Sequence, residues 1–157
     1  MKGQKKILDT LNMLLAEELT AINQYMVHSE MCADWGYDRL HEKLEKRAID
    51  EMKHAESLIG RILFLEGTPI VSKLNPIHIG ADVKKQFQND LKSENLAIKS
   101  YNTAVAEASR SKDNGTRELL ESILKDEEDH VDWLEAQLDQ LEQVGTENYL
   151  AEQIREG

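Results

Sequence analysis

Apolar residues return along this chain at helical spacing in four separate stretches. With about 100° of turn per residue, Leu11, Leu14, Leu15, Ile22 and Tyr25 fall within roughly 60° of position 18. Leu44, Ala55, Leu58 and Ile62 surround position 51 in the same way. Val83, Phe87, Leu91, Ile98, Tyr101 and Val105 surround position 94. Leu120, Ile123, Leu124, Val131, Leu134 and Leu138 surround position 127. These stripes predict helices over about 5–34, 39–66, 82–111 and 116–144. A short fifth, TENYLAEQIRE, is expected over about 146–155, with Thr146 as its candidate cap. Asp82 is a candidate cap for the third helix, and Gly67, Gly115 and Gly145 mark boundaries. One domain over 1–157 is expected.

The connections WGYD and KDNG are short, so the first two helices should be antiparallel neighbours, and the next two likewise. GTPIVSKLNPIHIG, between the second and third helices, holds both prolines, Pro69 and Pro76. Its fourteen residues reach at most about 46–50 Å, and a helix of about 28 residues is about 42 Å long. The segment can therefore run back along the whole bundle. The expected fold is all-α: an antiparallel four-helix bundle with one long crossover, the ferritin-like topology, plus a short C-terminal helix.

Shifted by 76 positions, the sequence matches itself. Glu18, Ala21, Ile22 and Tyr25 meet Glu94, Ala97, Ile98 and Tyr101. Glu42, Leu44 and Glu45 meet Glu118, Leu120 and Glu121. Asp50, Glu51 and His54 meet Asp126, Glu127 and His130, so the chain carries Asp-Glu-x-x-His twice. Two helical hairpins of one design are implied.

The positions at the centres of the four stripes are not apolar. They are Glu18, Glu51, Glu94 and Glu127, with His54 and His130 one turn on from the second and fourth. Burying one unpaired carboxylate costs several kcal/mol, and four together repel one another. Arg47 and Lys125 lie near these faces but could each serve only one site. Two divalent cations would balance the charge. Carboxylates with one imidazole per metal suit iron or manganese. A glutamate from each of two helices plus Glu-x-x-His from each of the others is the di-iron carboxylate pattern of this bundle class.

Composition narrows the field further. Thirty acidic against nineteen basic residues give a net charge of -11, which disfavours nucleic acid as a partner and favours cations. Cys32 is the only cysteine, so a disulfide framework is excluded. No apolar run reaches the roughly 20 residues of a membrane span, and the start has no signal-peptide pattern. A cytoplasmic protein is expected.

LAEELTAINQY, IDEMKHAE, RILFLEG, DEEDHVDWLE and ENYLAEQIRE resemble the bacterioferritin family over nearly the whole chain. The resemblance implies a ferroxidase that oxidises Fe(II) with O2 or peroxide and stores ferric mineral in a shell of 24 subunits built from twofold dimers. It implies Glu18 and Glu94 as terminal iron ligands, Glu51 and Glu127 as bridges, and His54 and His130 as one further ligand for each metal. Met52, on a flank of the second helix beside Ile49, Ile59 and Leu63, would bind haem b shared between two subunits. Tyr25 would stand beside the iron pair as a one-electron donor, with Trp133 a further aromatic nearby, and a small ferredoxin would supply electrons for iron release.

Two positions depart from the pattern of some relatives. Lys46 replaces the histidine of an inner-surface iron site whose aspartate, Asp50, remains. Leu58 replaces a second aromatic near the iron pair. His28, His41 and His78 have no partners at ligand spacing and read as surface or structural. Four alternatives stay open on sequence alone: a haem-free ferritin with the same centre, a DNA-protecting mini-ferritin, a non-catalytic bundle, and a di-iron oxygenase or peroxidase.

Overall fold

The structure, a computed structural model, describes residues 1–154. Helix α1 spans Lys5–Asp34, α2 Asp38–Phe64, α3 Val83–Arg110, α4 Asn114–Val144 and α5 Thr146–Ala151. Helices α1 and α2 pack as one antiparallel hairpin and α3 and α4 as the other. The hairpins meet through α1 on α3 and α2 on α4, and α5 folds against α4. This is the expected four-helix bundle with a long crossover. Among the described residues no helix is long and apolar enough to cross a membrane.

The internal repeat extends to the turns. Gly36 and Lys112, 76 positions apart, both adopt left-handed backbone, with φ of 82° and 57°. In the first turn Tyr37 N–H donates to Cys32 O, and in the second Asp113 N–H donates to Ala108 O, each at 2.9 Å. Each hairpin thus closes by the same wide-turn hydrogen bond, which ties up a carbonyl that the helix end leaves free.

Three boundaries differ from the sequence pattern. Helix α4 begins two residues earlier than expected, because Asp113 caps it: its carboxylate accepts from Thr116 N–H at 3.1 Å and from the Thr116 hydroxyl at 2.7 Å. Helix α2 ends at Phe64, and Glu66 rather than a glycine takes the left-handed turn, with φ 63°. Gly67 follows it, packed close to the tip of the Leu8 side chain. Helix α5 ends at Ala151, short of the expected 155, and residue 155 lies outside the described residues. Thr146 is its first helical residue and not its cap; Gly145 holds the cap position without a side-chain bond. Six residues cannot hold a helix alone. Burial of Tyr149 against Phe87, edge to face at 6.1 Å, anchors this one. Asp82 caps α3 as expected, accepting from Lys85 N–H at 2.8 Å.

The crossover strap runs along α1, and α1 supplies its hydrogen bonds. Asn12 Oδ1 accepts from Ile70 N–H, Thr20 Oγ1 from Asn75 N–H, Gln24 Oε1 from His78 N–H, and His28 Nε2 from Gly80 N–H. The last three acceptors stand four residues apart on one face of α1, where helical geometry aligns them. These bonds pin a largely exposed strap to α1, and at the buried Gly80 they satisfy an amide that would otherwise lack a partner.

The apolar core falls into two clusters. One gathers Leu11, Leu14, Leu15, Leu58, Ile62 and Leu120 toward one end of the bundle. The other gathers Cys32, Leu40, Leu44, Phe87, Leu134 and Leu141 toward the opposite end. The polar residues at 18, 51, 54, 94, 127 and 130 separate them.

Candidate metal centre

Each of the four long helices contributes to this belt because the helical period places its central glutamate on the core-facing stripe. Glu18, Glu51, Glu94, Glu127, His54 and His130 are all buried, none more than 5% exposed. They form two groups. Glu18, Glu51, His54 and Glu127 bring ligand-capable atoms within 4.8 Å of one another, and so do Glu51, Glu94, Glu127 and His130. Glu51 and Glu127 belong to both groups, while each of the others belongs to one. The structure therefore brings together all six residues that the sequence pattern singled out.

Both imidazoles turn Nδ1 into the belt. His54 Nδ1 lies 3.0 Å from Glu127, 3.5 Å from Glu18 and 3.6 Å from Glu51. His130 Nδ1 lies 3.2 Å from Glu51, 3.3 Å from Glu94 and 3.7 Å from Glu127. The opposite nitrogens point outward to aspartates. His54 Nε2 meets Asp126 at 2.9 Å, and His130 Nε2 meets Asp50 at 3.4 Å. Each aspartate comes from the other Asp-Glu-x-x-His motif. An Nε2–H donated to carboxylate leaves Nδ1 as the ligand atom and makes it more basic. The sequence pattern assigned Asp126 no role and linked Asp50 only to an inner-surface iron site, although their repetition beside Glu51 and Glu127 was visible.

Two buried phenols orient the outer carboxylates, and they do so crosswise. Tyr25 O–H donates to Glu94 Oε1 at 2.7 Å, and Tyr101 O–H donates to Glu18 Oε1 at 2.6 Å. The second oxygens, Glu94 Oε2 and Glu18 Oε2, have no hydrogen-bond partner, and neither do Glu51 Oε1, Glu127 Oε1 or His54 Nδ1. Buried polar atoms left without partners cost about 1–3 kcal/mol each. Five of them lining the two donor groups fit cationic occupants, and oxygen with imidazole nitrogen is a donor set suited to iron.

The electrostatics agree. Burial pushes the Glu51 carboxyl well above its usual range, and repulsion from Glu18, Glu94 and Glu127 adds to the shift. Burial raises Glu127 likewise, reinforced by Glu94. Burial opposes ionisation of Glu94 too, but hydrogen bonds from Glu127, His130 and Tyr25 outweigh it and hold Glu94 low. For His54, burial works against the charged ring, yet Glu127 and Glu18 override it and lift the pKa to about 11. Without metal, protons therefore neutralise part of this belt. Both tyrosines stay protonated, because burial first and the neighbouring carboxylates second raise them well above the ordinary phenol value.

A ferritin-like domain pattern matches residues 8–144 of this chain. The bacterioferritin of Brucella melitensis is 42% identical over 149 residues, covering 95% of this chain and 92% of that protein. The bacterial ferritin of Synechocystis sp. is 43% identical over 155 residues, 98% of this chain and 99% of that one. The bacterioferritin of Mycolicibacterium paratuberculosis is 40% identical over 152 residues, with 97% and 96% covered. The chain belongs to the bacterioferritin family. Iron storage is the business of that family, and the belt of buried glutamates and histidines is where a bacterioferritin of this sequence could hold metal.

The remaining singled-out residues take these places. Met52 is 45% exposed on α2, and Ile49 and Leu63 are exposed on the same helix. Its thioether is therefore open on an apolar helix flank. Asp50 is engaged by Arg47 and His130, each at 3.4 Å, and Lys46 beside it is exposed. Leu58 is fully buried in the core. Trp133 packs edge to face on Phe87 at 5.7 Å and lies under the Arg47 guanidinium. His28 is fully buried, with Nδ1 3.0 Å from Asp90. His41 Nδ1 is held by Ser29, and its ring lies near the exposed Glu30 and Glu45. A cavity of about 810 Å³ leads from between the strap and α3 down to Glu18, Glu51, Glu94 and Glu127, with Asn75, Pro76, Ile77 and His78 along its outer edge.

Proposed function

We propose that this chain is a ferroxidase. It takes Fe(II) as substrate, oxidises it with O2 or peroxide, and deposits ferric mineral inside a shell of 24 identical-fold subunits. The observation that carries this reading is the pair of buried donor groups sharing Glu51 and Glu127. Two Fe(II) ions, one per group, would meet four carboxylates and two imidazoles, with Glu18 and Glu94 terminal, Glu51 and Glu127 bridging, and one histidine each.

The residues have separate tasks. Entering iron displaces the protons that neutralise Glu51 and Glu127. Asp126 and Asp50 hold the imidazoles by Nε2, so that Nδ1 faces the metal. Tyr25 and Tyr101 occupy one oxygen of Glu94 and of Glu18 and leave the other oxygen bare. Holding both ions in one rigid belt makes a two-electron reduction of the oxidant a local event. The cavity beside the strap gives substrate a way in.

Met52 would ligate haem b together with the Met52 of a twofold-related subunit; bound there, haem carries electrons inward for reductive release of the stored iron, with a small ferredoxin as donor. The whole chain, 1–157, acts as one ferritin-like domain in the cytoplasm. A haem-free ferritin with the same centre is the competing reading.

The test is an optical titration of the iron-stripped protein with Fe(II) in air, beside Glu127→Ala. A rapid ferric absorbance that saturates at two irons per subunit in wild type, against the buffer rate in the variant, supports the ferroxidase. Equal slow rates would sink it.

A further inference from the structure

The cavity beside the strap carries one negative charge that the belt does not use. Five carboxylates line it. Four of them, Glu18, Glu51, Glu94 and Glu127, belong to the two donor groups. The fifth is Glu17, a partly exposed residue on the α1 wall. Its Oε1 accepts from the Ser100 hydroxyl of α3 at 2.7 Å, which fixes the side chain across the seam between α1 and α3. Its Oε2 is buried, and no hydrogen-bond donor reaches it.

Glu17 also breaks the internal repeat. Position 93, 76 residues on, lines the same cavity but is a serine. The α3 wall contributes Lys85 and Lys92 instead, both exposed and two turns apart on one helical face. Two ammonium groups repel an approaching cation. Among the cavity-lining residues outside the belt, Glu17 is the only one that attracts it. A divalent ion that sheds part of its water to enter needs an oxygen in return, and hard divalent ions take one carboxylate while keeping several waters. A carboxylate held by one oxygen and bare at the other meets that need.

We propose that Glu17 holds one further divalent cation in the cavity, outside the belt, as the station from which metal passes to the donor groups. That the ion in use is Fe(II) rests on the ferroxidase reading; the site itself does not. Oε2 takes the ion, Ser100 keeps Oε1, and water fills the other positions. No electron moves at this site, and the ion leaves it with its charge unchanged.

The experiment fills the belt with two Zn(II) per subunit and then titrates Mn(II), which stands below zinc in affinity for such donors and leaves it in place. Free Mn(II) is read by electron paramagnetic resonance, and crystals of the same preparation are mapped at the manganese absorption edge. The expected result is one Mn(II) per subunit at Glu17 in wild type, lost in Glu17→Gln. Glutamine keeps an oxygen for Ser100 and removes only the charge, so uptake of two Zn(II) by both proteins shows that fold and belt are intact. At low ionic strength Glu17→Gln should also raise the Fe(II) concentration for half-maximal oxidation about tenfold and leave kcat unchanged.

Equal Mn(II) uptake by wild type and Glu17→Gln, or a wild-type map with no manganese at Glu17, overturns the proposal and leaves Glu17 as a tether between α1 and α3. An unchanged half-saturation overturns its part in delivery. The wild-type map decides the site even where the variant fails to fold. Failure of the ferroxidase reading looks different: manganese would still sit at Glu17, while wild type oxidised iron no faster than Glu127→Ala.

Discussion

His54 Nε2 lies 2.9 Å from Oδ2 of Asp126, the first residue of the other Asp-Glu-x-x-His motif. The converse contact, His130 Nε2 to Asp50, spans 3.4 Å. Each motif thus supplies a glutamate common to both donor groups and a histidine to one of them, and an aspartate that contacts the histidine of its twin. Duplicating the motif makes both halves depend on each other.

Removing an outer partner of a ligating histidine typically weakens metal binding about 10–100-fold. Asp126→Ala should therefore lower Zn(II) affinity by about that factor, measured by competition with a chelator, while helicity is unchanged. Asp50→Ala should cost less, because its contact is longer and Arg47 shares it. Wild-type affinity in Asp126→Ala would mean that packing alone orients His54.

The metal-free protein should lose stability as pH rises. Glu51 and Glu127 have folded pKa values raised above the unfolded carboxylate value. Their contribution is therefore complete below that value and lost as pH climbs through the raised range. His54, raised to about 11, acts in the same direction at higher pH. Metal binding should run the other way and strengthen with pH, because it must displace these protons. Thermal melts across pH, with and without zinc, check both slopes. Glu51→Gln should flatten the metal-free slope and stabilise the metal-free protein near neutrality by about 1–3 kcal/mol.

The strap makes a separate prediction. Gly80 N–H donates to His28 Nε2 at 3.0 Å, so that nitrogen is an acceptor and His28 donates through Nδ1 to Asp90. His28→Ala would strand the strap amide and leave the buried Asp90 carboxylate with Gln24 Nε2 as its one remaining donor. A cost of about 3 kcal/mol follows, seen as a lower melting temperature and faster proteolysis between α2 and α3. Gly80→Ala should be similarly harmful, because a Cβ there would overlap the Gln86 backbone. Unchanged cleavage in both variants would mean that the apolar strap residues alone hold it down.

Met52→Leu should abolish the haem absorbance while leaving initial Fe(II) oxidation within about twofold of wild type. Met52 is exposed on α2, outside the buried belt, and leucine keeps its volume. Loss of the oxidation rate as well would tie haem to the oxidation step and contradict the proposed division of labour.

Helical periodicity made much of this protein legible in one dimension. The four core stripes, the place of a glutamate at the centre of each, the 76-residue repeat and the length of the strap are local properties, because a helix fixes angular position from sequence spacing alone. Chain ends of helices were less legible. Thr146 has cap chemistry, but Gly145 takes the cap position, while Asp113 outcompetes Gly115 as the start of α4. What only the tertiary structure decided is which atoms meet across helices. Tyr25 follows Glu18 by two turns yet bonds Glu94; Asp50 precedes His54 by one turn yet serves His130; and Thr20 and Gln24 on α1, which no sequence pattern singled out, receive the strap. Spacing along one helix tells which face a side chain shares. The approach and register of the neighbouring helices, set by the packing of two apolar clusters on either side of the polar belt, choose its partner.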